Sequence, residues 1–323
     1  MVLTTPLIAH LAGSGPVDVM CTPAAAALLA HNPSVREVVI YDKRGTDRGI
    51  RGFTGMASTL RARRYRSAYL AQGSVRSGAL VVAGGIKDRV GFSTSAGRMF
   101  YTTRVTPPET MHHAARLLAL GTRDATRDSA PAALRPHLYP GSAERDAVDA
   151  VLGTNAAGEQ LIALAPGSVW ATKRWPYFRE LARELRDVGR VVVVGGDADR
   201  DLALEIVGAM NGQAIDATGR LSLLASAELI GRSALLVTND SAPLHLASAM
   251  NTPTIAVFGP TVPEFGFGPL AEQSIVVGHT GLTCRPCDRH GPQRCPLGHW
   301  RCMREIMPDA VAVLARSLIS PSS

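Results

Sequence analysis

Three stretches of this chain combine residue types at spacings suited to holding an anion. The first is Val237-Thr-Asn-Asp-Ser-Ala-Pro-Leu-His-Leu-Ala247. A strand is expected to end at Thr238, with Asn239, Asp240 and Ser241 capping the helix that follows. The unpaired N–H groups and positive dipole end of that helix would suit a phosphate. His245, four residues past Ser241, would lie on the same helix face. A plain helix cap with a surface histidine fits this stretch equally well. The second stretch is Ala165-Pro-Gly-Ser-Val-Trp-Ala-Thr-Lys-Arg-Trp-Pro176. Here Lys173 would give a phosphate a point charge, and Ser168 and Thr172 would give it hydrogen-bond donors. The third, Gly195-Gly196-Asp197 through Asp199, Arg200 and Asp201, sits at a strand-to-helix turn, where an acid could hold ribose hydroxyls. It is not a complete dinucleotide fingerprint, and helix capping would also explain its acids.

A cysteine cluster stands apart from these. Cys284-x2-Cys287-x7-Cys295-x6-Cys302 holds four of the five cysteines. Such clustering reads first as a tetrahedral zinc site, with His290 and His299 as nearby alternative ligands. Reduced thiols in a surface loop, or a disulfide, are the other readings. Cys21 reads as a small buried hydrophobe.

The elements needed to position these residues follow from apolar patterning. In the second half, Leu161–Ala165, Val191–Val194, Ala214–Asp216, Leu235–Thr238 and Thr254–Phe258 read as buried strands. They alternate with helices near 176–188, 199–210, 221–230 and 241–250, and a last helix covers 308–319. The first half repeats the theme, with strands at 17–21, 37–41 and 68–71 and helices near 3–12, 23–31, 54–64 and 76–83. Alternation of this kind predicts parallel sheets with helices on both faces. The expected fold is α/β: two Rossmann-like, doubly wound domains, one over 1–150 and one over 151–323. The boundary falls in the polar connection 141–160, and ligands are expected between the domains, outside the carboxyl ends of the strands.

The 323 residues are 46% hydrophobic and 19% charged, and mean hydropathy is near zero. This composition excludes disorder as the main state, and no run approaches the ~20 apolar residues of a spanning helix. Pro6 and His10 interrupt the apolar start, and no basic segment precedes it, so it reads poorly as a signal peptide. A cytoplasmic protein without disulfides is expected. Residues 1–150 carry 19 Lys and Arg against 11 Asp and Glu, whereas the rest carry 15 against 16. The first half would therefore face something anionic. A nucleic-acid binder is disfavoured, because the basic half lacks the cysteines and aromatic residues are only 5%.

Asn239-Asp-Ser-Ala-Pro-Leu-His245, the Lys173-Arg-Trp-Pro176 loop, Phe258-Gly-Pro-Thr261 and the later cysteines together resemble glycosyltransferase family nine, the ADP-heptose:lipopolysaccharide heptosyltransferases, most closely the heptosyltransferase II type. The resemblance covers nearly the whole chain. It implies a GT-B fold and an inverting transferase that moves heptose from ADP-heptose to an inner-core heptose, with no cofactor required for catalysis. Lys173, Asp240 and His245 would then be catalytic. Ser168, Thr172, Lys173, Asp201, Thr218, Gly219, Asp240, Ser241, Ala242 and His245 would hold the donor, with Thr218-Gly219 beside the adenine. Gln72-Gly-Ser-x-Arg-Ser77 resembles the family's acceptor-facing loop, so Gln72, Ser74 and Arg76 would meet an acceptor built on lipid A and Kdo. That anionic acceptor implies a cytoplasmic enzyme peripheral to the inner face of the inner membrane. Family members open with a strand and a Gly-Asp pair whose aspartate is the family's proposed base. The segment matching Val2–Pro6 stands here directly after Met1, so that first strand is expected to be missing and no base is assigned. A same-fold transferase using another nucleotide-sugar donor, or a non-catalytic paralogue, are the alternatives.

Overall fold

The computed structural model describes residues 1–124, 131–153 and 158–319. The chain divides into two units, essentially Leu3–Leu134 and Arg135–Ser323. The first unit runs α1 (Thr5–Ala12), β1 (Asp18–Cys21), α2 (Pro23–Ala26), β2 (Glu37–Ile40), α3 (Gly49–Arg63), β3 (Ser67–Leu70), α4 (Val75–Ala83), β4 (Asp88–Phe92), β5 (Thr103–Val105), α5 (His113–Thr122) and α6 (Pro131–Leu134). Its strands are all parallel, β1 on β2 in one sheet and β3-β4-β5 in another.

The second unit runs α7 (Ser142–Leu152), β6 (Leu161–Ala165), α8 (Phe178–Glu184), β7 (Arg190–Val193), α9 (Arg200–Ala209), β8 (Ile215–Asp216), α10 (Leu223–Arg232), β9 (Leu235–Asn239), α11 (Ala242–Met250), β10 (Thr254–Phe258), β11 (Ser274–Gly278), α12 (Arg301–Arg304) and α13 (Pro308–Ile319). Its six strands form one parallel sheet in the order β11-β10-β9-β6-β7-β8. Every residue of β6, β9 and β10 is buried, as expected of central strands covered on both faces. Ile162, Leu164, Val191, Val193, Leu235, Val237, Ile255 and Val257 pack into one core with α8, α9 and α13.

The order of that sheet locates a crevice. The chain goes outward from β6 to β7 and β8, then returns to place β9 on the other side of β6. In such sheets the loops leaving the two central strands diverge to opposite faces and leave a gap at their carboxyl ends. The loops after β6 and β9 are the two that carry Lys173 and Asp240.

The division between units falls at 134/135, earlier than the boundary read at 150. Helix α7 explains the difference. Val148 is fully buried, α7 packs on α10, and Arg232 pairs with Asp149. The largely polar surface of α7 made it read as a connection, and residues 154–157 of that connection lie outside the described residues. No helix among the described residues is long and apolar enough to cross a membrane.

In the first unit an ionic knot ties β1 to the start of β3. The Asp18 side chain is 3% exposed and accepts from Arg36 at 2.7–2.8 Å, from the Tyr65 hydroxyl at 2.6 Å and from Arg63 at 3.4 Å. The Arg36 hydrogen bonds, helped by Tyr65, hold the Asp18 carboxyl below the usual carboxylate range despite its burial. A lowered folded-state pKa adds stability that is fully present above the ordinary value near pH ~4 and is lost as pH falls through the lowered one. Asp18→Asn should therefore be less stable than wild type at pH 7, with the gap closing on acidification. Denaturant melts at pH 7 and at low pH measure it, and a gap independent of pH would contradict the assignment.

Candidate active site

The two loops meet through Lys173 and Asp240. Lys173 lies in a short 3₁₀ turn, Ala171–Lys173, after β6. Its Nζ donates to Asp240 Oδ2 at 2.6 Å, and the two side chains are only 10% and 11% exposed. The same carboxylate oxygen accepts from the hydroxyl of Thr261 at 2.7 Å, and Thr261 is 1% exposed. An ammonium has three donors, and among the described residues Asp240 is the only hydrogen-bond partner of Nζ.

Asn239 fastens the two loops beneath this pair. It is fully buried, accepts from the backbone N–H of Trp175 at 3.0 Å and donates to the carbonyls of Pro166 at 2.8 Å and Gly167 at 3.4 Å. Gly291 packs from the other side. It has φ +86°, and a Cβ there would lie 3.2 Å from Lys173 Cε and 3.3 Å from the Pro260 ring. Glycine thus serves both the backbone conformation and the close approach.

The expected capping arrangement is corrected in detail. Ser241 is the residue preceding α11, but its side chain makes no capping bond, and Asn239 and Asp240 are committed elsewhere. The amino end of α11 is therefore capped by no side chain, with Ala242 exposed in its first position and Ser241 Oγ 3.5 Å from Thr238 Oγ1. His245 stands one turn into α11, its ring 6.3 Å from that of Phe267.

The remaining donor-side residues fall into two groups. Ser168 accepts from the Trp170 N–H at 3.3 Å, while the Thr172 hydroxyl donates to the carbonyl of Pro292 and so braces the loop. Thr218 is buried and donates twice to Asp216 Oδ1, and Gly219 follows at φ +67°. The carboxylate nearest Gly219 is that of Asp197, which a Cβ on Gly219 would meet at 2.0 Å. Asp201 is exposed in the first turn of α9.

In the first unit, Ser74 caps α4 by accepting from the Ser77 N–H at 3.1 Å, and the exposed Gln72 accepts from Lys43 at 3.4 Å. Arg76 donates to the Tyr41 hydroxyl at 2.5 and 2.8 Å and to the carbonyls of Asp47 and Gly49. It also lies over the Tyr41 and Phe53 rings. Two of these four hydrogen bonds thus hold the 42–49 loop in place, and the other two go to Tyr41.

The zinc reading of the cysteines finds no support in the geometry. Among the described residues no three His, Cys, Asp or Glu side chains stand together as metal ligands. All five cysteines are free thiols. Cys287 donates to the carbonyl of Cys284 at 3.3 Å, and Cys284 Sγ lies 3.9 Å from His299 Nε2. Cys302 is buried, and desolvation beside the other thiols pushes its pKa up to about 11. The spacing signal was one of clustering in sequence, which does not fix convergence in space.

Against this geometry, residues 54–298 match the model of Glycosyltransferase family 9 (heptosyltransferase). The chain belongs to glycosyltransferase family 9. It is 29% identical over 278 residues to the lipopolysaccharide heptosyltransferase 2 of Escherichia coli, covering 81% of this chain and 78% of that one. It is 30% identical over 173 residues to the lipooligosaccharide heptosyltransferase 2 of Campylobacter jejuni, covering 51% of this chain. That match spans about half the length of the Campylobacter protein, 53%. Among solved structures, the E. coli ADP-heptose lipopolysaccharide heptosyltransferase II matches with a TM-score of 0.81 at 24% identity, over 99% of this chain and 95% of that one. A family 9 protein from Veillonella parvula matches at 0.84 and 23%, over 99% and 94%. These likenesses establish the GT-B fold class expected from the family resemblance.

Asn239, Thr261, Asp197, Gly291 and Arg285 were not singled out as site residues from sequence. Asn239, Thr261 and Asp197 did lie inside the motif stretches, and that position was the available signal. Asn239→Ala should lower unfolding free energy by about 2–4 kcal/mol, because it orphans the buried Trp175 N–H and Pro166 carbonyl together. Urea denaturation measures this, and a loss below ~0.5 kcal/mol would remove Asn239 as the fastening between the loops.

Proposed function

We propose that this chain is an inverting heptosyltransferase that uses ADP-heptose as donor and an inner-core heptose of lipopolysaccharide as acceptor. The single observation that carries the donor half is the Lys173–Asp240–Thr261 constellation at the carboxyl ends of β6, β9 and β10. Family membership supplies the reaction class. The relatives named as lipopolysaccharide or lipooligosaccharide heptosyltransferases supply the sugar and the acceptor.

In this reading an acceptor hydroxyl attacks the anomeric carbon as the bond to the diphosphate breaks, its proton passing to a general base to which no residue of this chain is assigned. The electron pair of that bond leaves with ADP, and negative charge grows on the bridging oxygen and the phosphates. The Nζ protons of Lys173 not given to Asp240, together with the uncapped amino end of α11, stabilise that charge in place. Asp240 keeps the ammonium oriented. Removing Lys173 would be doubly unfavourable, because it takes away the cation and leaves a nearly buried carboxylate facing an anionic donor. Ser168, Ser241, Ala242 and His245 would lie along the donor, with Thr218-Gly219 beside the adenine. The position of its carboxylate favours Asp197 over Asp201 as the acid beside that base. Gln72, Ser74 and Arg76 would face the acceptor, Arg76 through the loop it holds.

The reading extends to contact with an anionic membrane surface. Its support is the loop leading into α3, where Arg44, Arg48 and Arg51 are exposed around Ile50, itself 81% exposed. Cations flanking an exposed aliphatic side chain suit a headgroup layer.

Turnover tests the proposal. Wild-type protein given ADP-heptose and a heptosylated Kdo–lipid A acceptor should form the diheptosylated product, and Lys173→Ala should lower kcat/KM by ~10²–10³-fold. An unchanged kcat/KM in Lys173→Ala would take the diphosphate away from this site. Transfer from another nucleotide sugar in place of ADP-heptose would change the donor and keep the mechanism.

A further inference from the structure

The strand β10 ends in Phe258-Gly-Pro-Thr261, and the carbonyls of these four residues need partners where the ladder gives out. All four are satisfied by one short segment. The guanidinium of Arg285 donates to the carbonyls of Phe258 at 2.8 Å, Thr261 at 3.0 Å and Gly259, and also to His279 beyond β11. The backbone N–H of Cys287 donates to Pro260 at 2.8 Å. Arg285 forms no ion pair with a carboxylate among the described residues. Its planar fork is spent on backbone. The carboxyl-ward continuation of the same segment reaches the other loop: Gly291 lies against the Lys173 stem, the Pro292 carbonyl accepts from Thr172, and Gln293 accepts from Ala171 N–H at 3.1 Å and donates to Val169 at 3.0 Å.

We propose that Arg285 is a positioning residue for the donor site: by gathering the carbonyls of residues 258–261 it sets the Thr261 hydroxyl on Asp240 and, through Asp240, the direction of the Lys173 ammonium. The inference rests on the reading of Lys173 and Asp240 as the donor diphosphate site. Among the described residues no other side chain holds the Thr261 carbonyl, so without Arg285 the 259–261 turn relaxes and Asp240 loses its second donor. Lysine cannot replace arginine here, because one ammonium cannot reach carbonyls spread across two strand ends.

Calorimetric titration with ADP of wild type, Arg285→Lys, Thr261→Val and the double variant tests this. If Arg285 acts through Thr261, each single change should weaken ADP by about 10-fold, and the double variant should be no more than ~3-fold weaker than either. A merely structural Arg285 would give losses that multiply to ~100-fold, and that result, or wild-type affinity in Arg285→Lys, overturns the proposal. Failure of the wild type to bind ADP would instead remove the reading of the site on which the proposal rests. A ligand-free readout covers a variant that folds poorly. The chain has three lysines, Lys43, Lys87 and Lys173, so ¹³C-dimethylated protein gives three resolvable lysine signals. In Thr261→Val and in Arg285→Gln the Lys173 signal should move in the same direction, toward those of Lys43 and Lys87, which lie in no ion pair among the described residues. An unmoved Lys173 signal in Arg285→Gln would contradict the coupling.

Discussion

One carboxylate oxygen organises the second unit's site. Asp240 Oδ2 accepts at once from Lys173 Nζ and Thr261 Oγ1, and so joins the loop after β6, the end of β9 and the turn after β10. A nearly buried ion pair of this kind is a weak source of stability, because desolvation offsets most of its Coulomb attraction. Its value is geometric. A lysine on a four-carbon stem would otherwise sample many directions, and the shared carboxylate leaves it one. Asn239 beneath, Gly291 beside and Arg285 behind each act by fixing one wall of the same small volume.

The position of that volume follows from topology. Parallel strands that leave a common starting strand in both directions must open a gap where the order reverses, and β6 and β9 form that gap. The strands are apolar throughout because helices cover both faces, so the polar atoms that remain collect at the strand ends. Thr238 and Asn239, at the carboxyl end of β9, are fully buried, and the chain turns to chemistry immediately after them.

The sequence made the buried strands easy to recognise. Leu161–Ala165, Leu235–Thr238 and Thr254–Phe258 are built on short apolar runs, and their helices show clear spacing. Strands β4, β5 and β11 went unrecognised because Asp88–Phe92, Thr103–Val105 and Ser274–Gly278 mix charged, small and β-branched residues in half-buried settings. At the site, the motif segments were legible and the partners were not. Nothing in the spacing reveals that Thr172 turns its hydroxyl to Pro292, or that the Asp197 carboxylate lies against Gly219. The cysteines drew the eye as metal ligands, and Arg285 between two of them passed unnoticed. The arginine excess of the first half is also partly internal: Arg36 and Arg63 serve Asp18, Arg76 serves Tyr41 and the 42–49 loop, and Arg89 binds the carbonyls of Ile86, Lys87 and Phe100. What remains for an anionic surface is smaller than the count of charges suggests.

The central claim is that Lys173, held by Asp240, is the anchor for a nucleoside diphosphate. Trp170 and Trp175 flank that lysine in sequence, so intrinsic fluorescence reports on its loop. ADP, UDP and GDP titrated into wild type and Lys173→Ala test the claim most directly. The account predicts saturable binding that favours ADP and weakens by at least ~100-fold in Lys173→Ala. Equal ADP affinity in the two proteins would contradict it.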